Sequence, residues 1–382
     1  MNGKLLYIAA AFLFAAGATS CNKDNDKNKE PEATLVSIAV TTPPDKLAYW
    51  ADEAFDPAGM TVTATYSDET TSVVTVTADM LAYDFAAAGA QTVTITFGGK
   101  TAQVTGITVT CGIRIVTEAE GDIKLRLTGT GEAVIDWGDG EEEPVTLVNP
   151  TDIGNDIWDY EFPHTYASAA TKTITVTGYI TGMVTGDTGG ATALNVSACP
   201  MLKHLYFGGE KLTSLDVSRN TALEYLWCRA NQLTSMDVSN NTALTRLHCM
   251  NNQLTSLDVS NNTAITWMDC SDNQLPSLDV SKCAAMNYLY CANNQLTSLD
   301  VSKCAALITL SCGNNQLPSL DVSNNTALTN LFCSLNQLTS LDVTALPLTG
   351  ALNVQYNYLP DVDGFTGTWD GERFVFEPQR TP

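Results

Sequence analysis

Between Leu202 and Leu359 one phrase recurs every 21 residues: Leu-x-x-Leu-x-Cys-x-x-Asn-x-Leu-Thr-Ser-Leu-Asp-Val-Ser. A fixed period of this length marks a solenoid, because each unit is one supersecondary element that cannot bury its own apolar edge and must stack on its neighbours. The clearest unit starts at Leu244 and carries Leu247, Cys249, Asn252, Leu254, Leu257, Asp258, Val259 and Asn262. Steps of 21 from Cys249 reach Cys228, Cys270, Cys291, Cys312 and Cys333, and the same step from Asp258 reaches Asp216, Asp237, Asp279, Asp300, Asp321 and Asp342. The phase never slips, so every coil is expected to present the same residue at the same corner.

A second period is nested in the first. Leu247, Cys249 and Asn252 return ten residues later as Leu257, Val259 and Asn262, and an eleven-residue step restarts the cycle. In Leu-x-Cys and Leu-x-Val the alternating residues of a short strand point to opposite sides, which places Leu, Cys and Val inside. This pattern resembles bacterial leucine-rich repeats, in particular those whose 21-residue repeat contains two half-repeats, over roughly residues 194–364. The resemblance implies a stack of about eight coils with short strands and few helices.

The 382 residues leave room for further domains before the repeats. A net charge of -23 excludes nucleic acid as a partner, since its phosphates would be repelled. Six of the eleven cysteines sit at one repeat phase, where a small buried hydrophobe is the expected role. Cys199, Cys283 and Cys304 fall at the phase that holds Asn220, Asn241, Asn262 and Asn325, and so substitute for asparagine in the second turn. Cysteines in single file do not converge on a point as zinc ligands must. Cys111 stands alone at a domain junction. No structural disulfide, metal or cofactor is expected.

Residues 1–21 read as an export signal, with Lys4 as the positive end, Leu5 to Ala16 as an apolar core too short to span a bilayer, and small residues before Cys21. Gly17-Ala-Thr-Ser-Cys21 resembles a lipobox, with Ala18 where leucine is usual, and Asn22-Lys-Asp-Asn-Asp26 resembles the signal that follows the acylated cysteine in Bacteroidetes-type surface lipoproteins. That resemblance implies lipidation of Cys21, a membrane contact through the lipid alone, and an outer-membrane location facing outward. Residues 22–33 read as a polar tether.

Residues 34–111 alternate apolar and polar residues, as in Met60-Thr-Val-Thr-Ala-Thr-Tyr66 and Thr92-Val-Thr-Ile-Thr-Phe97, with turn signals between the runs. The order from Phe55-Asp-Pro-Ala-Gly59 through Ala64-Thr-Tyr-Ser-Asp68 to Ala88-Gly-Ala-Gln-Thr-Val-Thr-Ile-Thr96 resembles a bacterial immunoglobulin-like domain, whose usual role is a spacer. Residues 112–182 are again β in character, and Ile135-Asp-Trp-Gly-Asp-Gly140 with Phe162-Pro-His-Thr-Tyr166 resembles a PKD-type sandwich. Trp137 is its expected core anchor, His164 a structural residue, and Asp136, Asp139 and Glu141 to Glu143 a solvated acidic loop. Gly182 to Gly190 reads as a linker, 190–364 as the repeats, and 365–382 as a capping hairpin turning at Asp370-Gly371, with Trp369, Phe374 and Phe376 on its apolar side. The fold class is therefore mainly β: two small sandwiches followed by a leucine-rich-repeat solenoid.

Comparing the repeats with one another separates scaffold from candidate surface. Ser256 and Asp258 recur in almost every coil, and the aspartates are expected to accept hydrogen bonds from nearby serines or backbone, because a row of carboxylates does not surround a calcium ion. The two positions flanking the inward Leu of the first half vary instead. They carry Tyr206, Tyr225, Trp227, Arg246, His248, Trp267, Tyr288, Tyr290 and Phe332, all placed on one outer face by strand alternation. Clustered exposed aromatic residues mark interaction sites, so these nine are the candidate binding residues.

Such a strip suits a protein surface or, through stacking, sugar rings. The leading reading is a monomeric, surface-anchored, non-enzymatic protein that binds a protein or carbohydrate, with adhesion or host interaction implied by the resemblance. A glycan-capture protein of a polysaccharide-utilisation system and a purely structural stalk are the alternatives. A hydrolase is disfavoured, because equal aspartates in a row lack the paired, unequal carboxylates that glycoside cleavage needs.

Overall fold

The structure, a computed structural model, describes residues 33–51, 53–85, 89–148, 161–187, 190–347, 349–359, 365–366 and 373–380. Cys21 with its export signal, the tether up to residue 32, and the Trp369 to Gly371 turn lie outside these residues.

The first module is a sandwich. Leu35–Thr42, Thr61–Tyr66 and Thr71–Val74 form one sheet, and Ala48–Trp50, Lys100–Thr110, Gly89–Phe97 and Leu81–Ala82 form the other. Alternation decides the inner faces: Val62 and Ala64 of one sheet and Val93 and Ile95 of the other are fully buried, with threonines between them directed outward. Tyr49, Phe55 and Phe85 fill one end of this core with their rings in contact.

The second module is built from Gly112–Thr117, Gly121–Asp136, Glu142–Leu147, Glu161–Tyr166 and Lys172–Asp187. Trp137 is buried as expected and accepts, at its carbonyl, a 2.6 Å hydrogen bond from the Tyr166 hydroxyl. His164 stacks on Trp137 at 4.6 Å between ring centroids, and its Nε2 lies 2.8 Å from Asp139, which accounts for it as a packing residue. The residues from Gly182, expected to be a linker, are strand. Lys172–Asp187 runs on past the sandwich, and Gly182, Met183, Val184 and Thr185 pair in parallel with His204, Leu205, Tyr206 and Phe207 of the first coil. An open strand edge on the first coil would leave backbone groups unpaired, and this extension covers it. The second module and the repeats consequently share one continuous core.

Eight short strands form the repeat ladder: His204–Phe207, Tyr225–Trp227, Arg246–His248, Trp267–Asp269, Tyr288–Tyr290, Thr309–Ser311, Asn330–Phe332 and Ala351–Asn353. They pair in parallel and in register, with Leu226 opposite Leu247 and Leu247 opposite Met268. The ladder leucines and cysteines are buried, Leu247 and Cys249 completely. Burial pushes the Cys228, Cys270 and Cys312 thiols up to about 12, so the ladder cysteines are protonated and inert at neutral pH.

Two columns of asparagine join one coil to the next. In the first, Asn273 donates through Nδ2 to the Cys249 carbonyl of the preceding coil and to the Cys270 carbonyl of its own, while its Oδ1 accepts from the Leu254 N–H at 3.0 Å. Asn252, Asn294, Asn315, Asn336 and Asn357 repeat this arrangement. In the second, Asn241 donates to Val217 and Asn220 carbonyls, but its buried Oδ1 has no partner, and Asn220, Asn262 and Asn325 share that orphan oxygen. This explains why cysteine occupies the second column and not the first. The Cys283 and Cys304 thiols point at the same two carbonyls of the preceding coil, and no acceptor is lost by the exchange.

The second-half aspartates behave as expected, each closing a local turn: Asp258 Oδ1 accepts the Ser260 N–H at 2.9 Å, as Asp237 does that of Ser239. At the far end the structure departs from the expected hairpin. Arg373–Val375 pairs in parallel with Ala351–Asn353, and Phe365–Thr366 with Leu341–Asp342, so the two tail strands pair with the last two coils instead of with each other. The edge of the last coil has the same unpaired backbone as that of the first, and pairing with it outweighs a local turn.

The asymmetry between the columns is testable. Asn241→Cys should cost less than about 1 kcal/mol, whereas Asn273→Cys should cost about 2 kcal/mol or more because it strands the buried Leu254 N–H; equilibrium urea unfolding of both variants measures the difference. Thiol labelling of the native chain should be slow at Cys249, Cys270 and Cys291 and rapid once denaturant is added, as followed by mass spectrometry.

Candidate binding face

The three-residue strands set the geometry of the face. With the central Leu or Met inside, the residues on either side turn outward, and in-register pairing lines them up as two columns. One runs His204, Tyr225, Arg246, Trp267, Tyr288, Thr309, Asn330; the other runs Tyr206, Trp227, His248, Asp269, Tyr290, Ser311, Phe332. Adjacent rings are about 4.8 Å apart by strand spacing, close enough to touch face to face.

They do. Tyr206 meets Trp227 at 5.4 Å, Trp227 stacks on His248 at 4.2 Å with planes 10° apart, and His248 meets the edge of Trp267 at 4.7 Å. Trp267 continues to Tyr288 and Tyr290 at 5.8 and 6.4 Å. His248 thus carries the chain of rings from one column to the other. Arg246 lies over both Tyr225 and Trp267, at 5.2 and 5.3 Å from their centroids. Eight of the nine candidate residues are drawn together in this way, including Tyr225, on which His204 stacks at 4.8 Å. Phe332 is not among them, because Ser311 separates it from Tyr290 by a whole coil.

The face is less open than strand alternation implied. His248 is only 5% exposed and His204 only 1%, because the larger rings of neighbouring coils close over them. His248 therefore orients Trp227 and Trp267 instead of meeting a ligand itself. Its Nε2 and the Trp267 Nε1 are buried without a partner. Tyr288 is exposed, and Tyr206, Tyr225, Trp227, Trp267, Tyr290 and Phe332 are half-buried. Two further charged residues, outside the nine candidates, lie on the strip. Arg229, one position past the ladder cysteine, places its guanidinium 5.4 Å over the Trp227 ring. Asp269 falls in the aromatic column, where burial holds its carboxyl above the usual range while Oδ1 accepts the Ser271 N–H. The signal for both was present, as charged residues at positions where other coils carry Gly, Ser, Ala or rings.

Residues 42–110 match the family of bacterial Ig-like domains, group 3. The N-terminal module is a bacterial immunoglobulin-like domain. No curated protein matches the chain. Among solved structures, the functional domain of InlJ from Listeria monocytogenes, which includes a cysteine ladder, is 39% identical over 52% of this chain and 44% of that one, with a TM-score of 0.48. A leucine-rich-repeat protein from Leptospira interrogans is 24% identical over 43% and 46% (TM-score 0.41), and YopM, a leucine-rich effector from Yersinia pestis, is 28% identical over 43% and 46% (TM-score 0.37). The chain thus spans less than half the length of each. The Ig-like domain seats against both later modules: its Trp50 carries Arg114 of the second module at 3.9 Å, and Ala198, whose carbonyl accepts the Gly112 N–H of the second module, packs into the Ig-like core. A Cβ on Gly112 would meet the Val176 carbonyl of the neighbouring strand at 2.3 Å and the Trp50 ring of the Ig-like domain at 2.7 Å, so this crowded position requires glycine.

The two buried histidines make stability depend on pH. Burial, opposed at His204 by Glu224 and reinforced at His248 by Arg246 and Arg229, lowers both from the ordinary 6.5 to about 4. The unfolded chain therefore takes up these protons first, and the stability that the neutral rings contribute is complete above about 6.5 and is lost as pH falls toward 4. The ladder aspartates are held below their usual value and titrate lower still, whereas Asp269, raised, acts in the opposite sense. The urea midpoint should fall between pH 6.5 and 4, and His248→Phe should show a smaller fall over the same window.

Proposed function

We propose that the chain is a surface-displayed binding protein whose repeat sheet engages a protein partner through the strip from Tyr206 to Tyr290. The observation that carries this reading is the contrast between the two halves of the coil. The second-half Asp and Ser are spent on local turns and are the same in nearly every coil, as a fold requires. The first-half flanking residues differ from coil to coil and place two tryptophans, three tyrosines and an arginine side by side within four coils, the residue types that anchor protein interfaces.

The stacking also favours protein over sugar. A sugar ring packs on an open aromatic face, but Trp227 has His248 parallel on it and Arg229 over it. What such rings offer is their edges and the grooves between them, which suit side chains. The reading is of a binding protein and not an enzyme, and of a monomer.

Cys21 is the proposed lipid-bearing residue, supported by the small residues before it and the Lys/Asp-rich segment after it. The chain then sits on the outer membrane facing outward, with the Ig-like domain and the second, PKD-like module holding the repeats away from the bilayer. Among the described residues no helix is long and apolar enough to cross a membrane.

Two experiments test this. Trp227→Ala, Trp267→Ala and Tyr290→Ala should each weaken binding of a partner recovered from the native surface environment by at least about tenfold, and Asp258→Asn should leave it unchanged; biolayer interferometry supplies the measurement, and equal affinity in all three would return the rings to the scaffold. Cys21→Ala should move the protein from the membrane fraction to the soluble one, and retention on membranes would refute the anchor.

A further inference from the structure

The strip is cationic in a protein of net charge -23. Arg229 and Arg246 both lie on it, and neither forms an ion pair with, or donates a side-chain hydrogen bond to, any described residue. Several cations elsewhere are paired with carboxylates: Lys203 meets Glu224 at 3.0 Å in the neighbouring coil, Lys124 meets Glu161 at 3.0 Å, and Lys46 meets Glu53. Arg229 and Arg246 are instead held against rings, at 5.4 Å from Trp227, 5.2 Å from Tyr225 and 5.3 Å from Trp267. A guanidinium lying on an aromatic face keeps its N–H groups directed around its rim, where they can donate to both oxygens of a carboxylate. Because the rings fix them beforehand, little rotamer freedom remains to be lost on binding. The acid on this face, Asp269, is half-buried, accepts the Ser271 N–H and feels the charge of Arg229, but forms no ion pair with it.

The rest of the solenoid accentuates this. The Asp216 to Asp342 column runs along another corner of every coil, and at physiological salt its field fades within about 8 Å. An acidic partner would be repelled along that column and drawn to the two guanidiniums that the rings of the strip hold in place.

We propose that the partner surface is an acidic protein segment. Its carboxylates pair with Arg229 and Arg246 while interleaved aromatic or aliphatic side chains enter the grooves between Trp227, Trp267 and Tyr290. This rests on the reading of the strip as the binding face and adds the chemistry of what it takes. An anionic polysaccharide would satisfy the guanidiniums but would need open ring faces, which Trp227 lacks.

The experiment titrates the intact chain, at about 150 mM salt, with three labelled polymers followed by fluorescence anisotropy: a random Glu/Tyr copolymer, a random Lys/Tyr copolymer, and polygalacturonate. The Glu/Tyr copolymer should bind, the Lys/Tyr copolymer should not, and polygalacturonate should bind at least about tenfold more weakly than Glu/Tyr. The double variant Arg229→Gln/Arg246→Gln should lose at least about tenfold toward Glu/Tyr, consistent with charge-assisted hydrogen bonds, with its thermal midpoint showing that it is folded. No binding of Glu/Tyr, a preference for Lys/Tyr, tighter binding of polygalacturonate, or equal binding by the double variant would each overturn the proposal. Trp227→Ala separates the two levels. If it abolishes binding that the double variant retains, the strip is the site but its partner is not selected by acidity. If neither variant alters binding, the strip is not the site.

Discussion

Each coil of the repeat array depends on its neighbour to satisfy its own backbone, and the first-column asparagine is the group that arranges this. A turn following a buried strand brings carbonyls and N–H groups into an apolar interior where water cannot serve them. Asn273 and its equivalents supply two donors and one acceptor at that point, reaching both their own coil and the one before. The corner next to it requires a left-handed backbone, which Asn251, Asn293 and Asn314 adopt readily, and which Leu335 and Tyr356 adopt at some strain. With turns fixed in this way, the strands between them can be only three residues long and still keep register. The parallel sheet is thus a by-product of its corners.

That division of labour frees the outward positions. Since the leucine, cysteine and asparagine columns hold the coil, residues flanking the inward leucine, Asn330 apart, carry little of the coil-to-coil hydrogen bonding through their side chains, and they can be Trp, Arg or Ser without altering the fold. The rings on the face do interact, but with one another, and His248 between two tryptophans couples neighbouring coils through packing. Its burial has a consequence for mutational work: truncating a ring changes the exposure of an uncharged histidine, so effects on affinity at Trp227 and Trp267 need a stability measurement beside them.

What was legible in the sequence is what repeats. The burial of Cys249, the local turn at Asp258, the exchange of Asn for Cys at 283 and the sandwich at the N-terminus all follow from patterns a few residues long, reinforced by recurrence. The burial of His248 was not legible, because it depends on the size of the side chains 21 residues before and after it. Gly182 looked like punctuation, since glycine and threonine in series resemble a linker until a partner strand is available. The tail strands failed for the same reason: Asp370-Gly371 is a strong local hairpin signal, and the unpaired edge of Ala351–Asn353 is invisible to any local rule. Within the candidate site, the variable columns could be found by comparing repeats, whereas Arg229 could be recognised as a member only once Trp227 was seen beneath it.

The strand Lys172–Asp187 belongs at one end to a sandwich and at the other to the solenoid, so the first coil is laid down on a surface already formed. Every later coil copies that register from the one before it. Insertion of one whole 21-residue unit between this strand and Tyr206 would keep the ladder register and move the aromatic strip by a single step of about 4.8 Å along the axis. The array is therefore a ruler with a fixed origin, and the distance of its aromatic face from the Ig-like domain is a quantity that can be lengthened in whole units without altering the face itself.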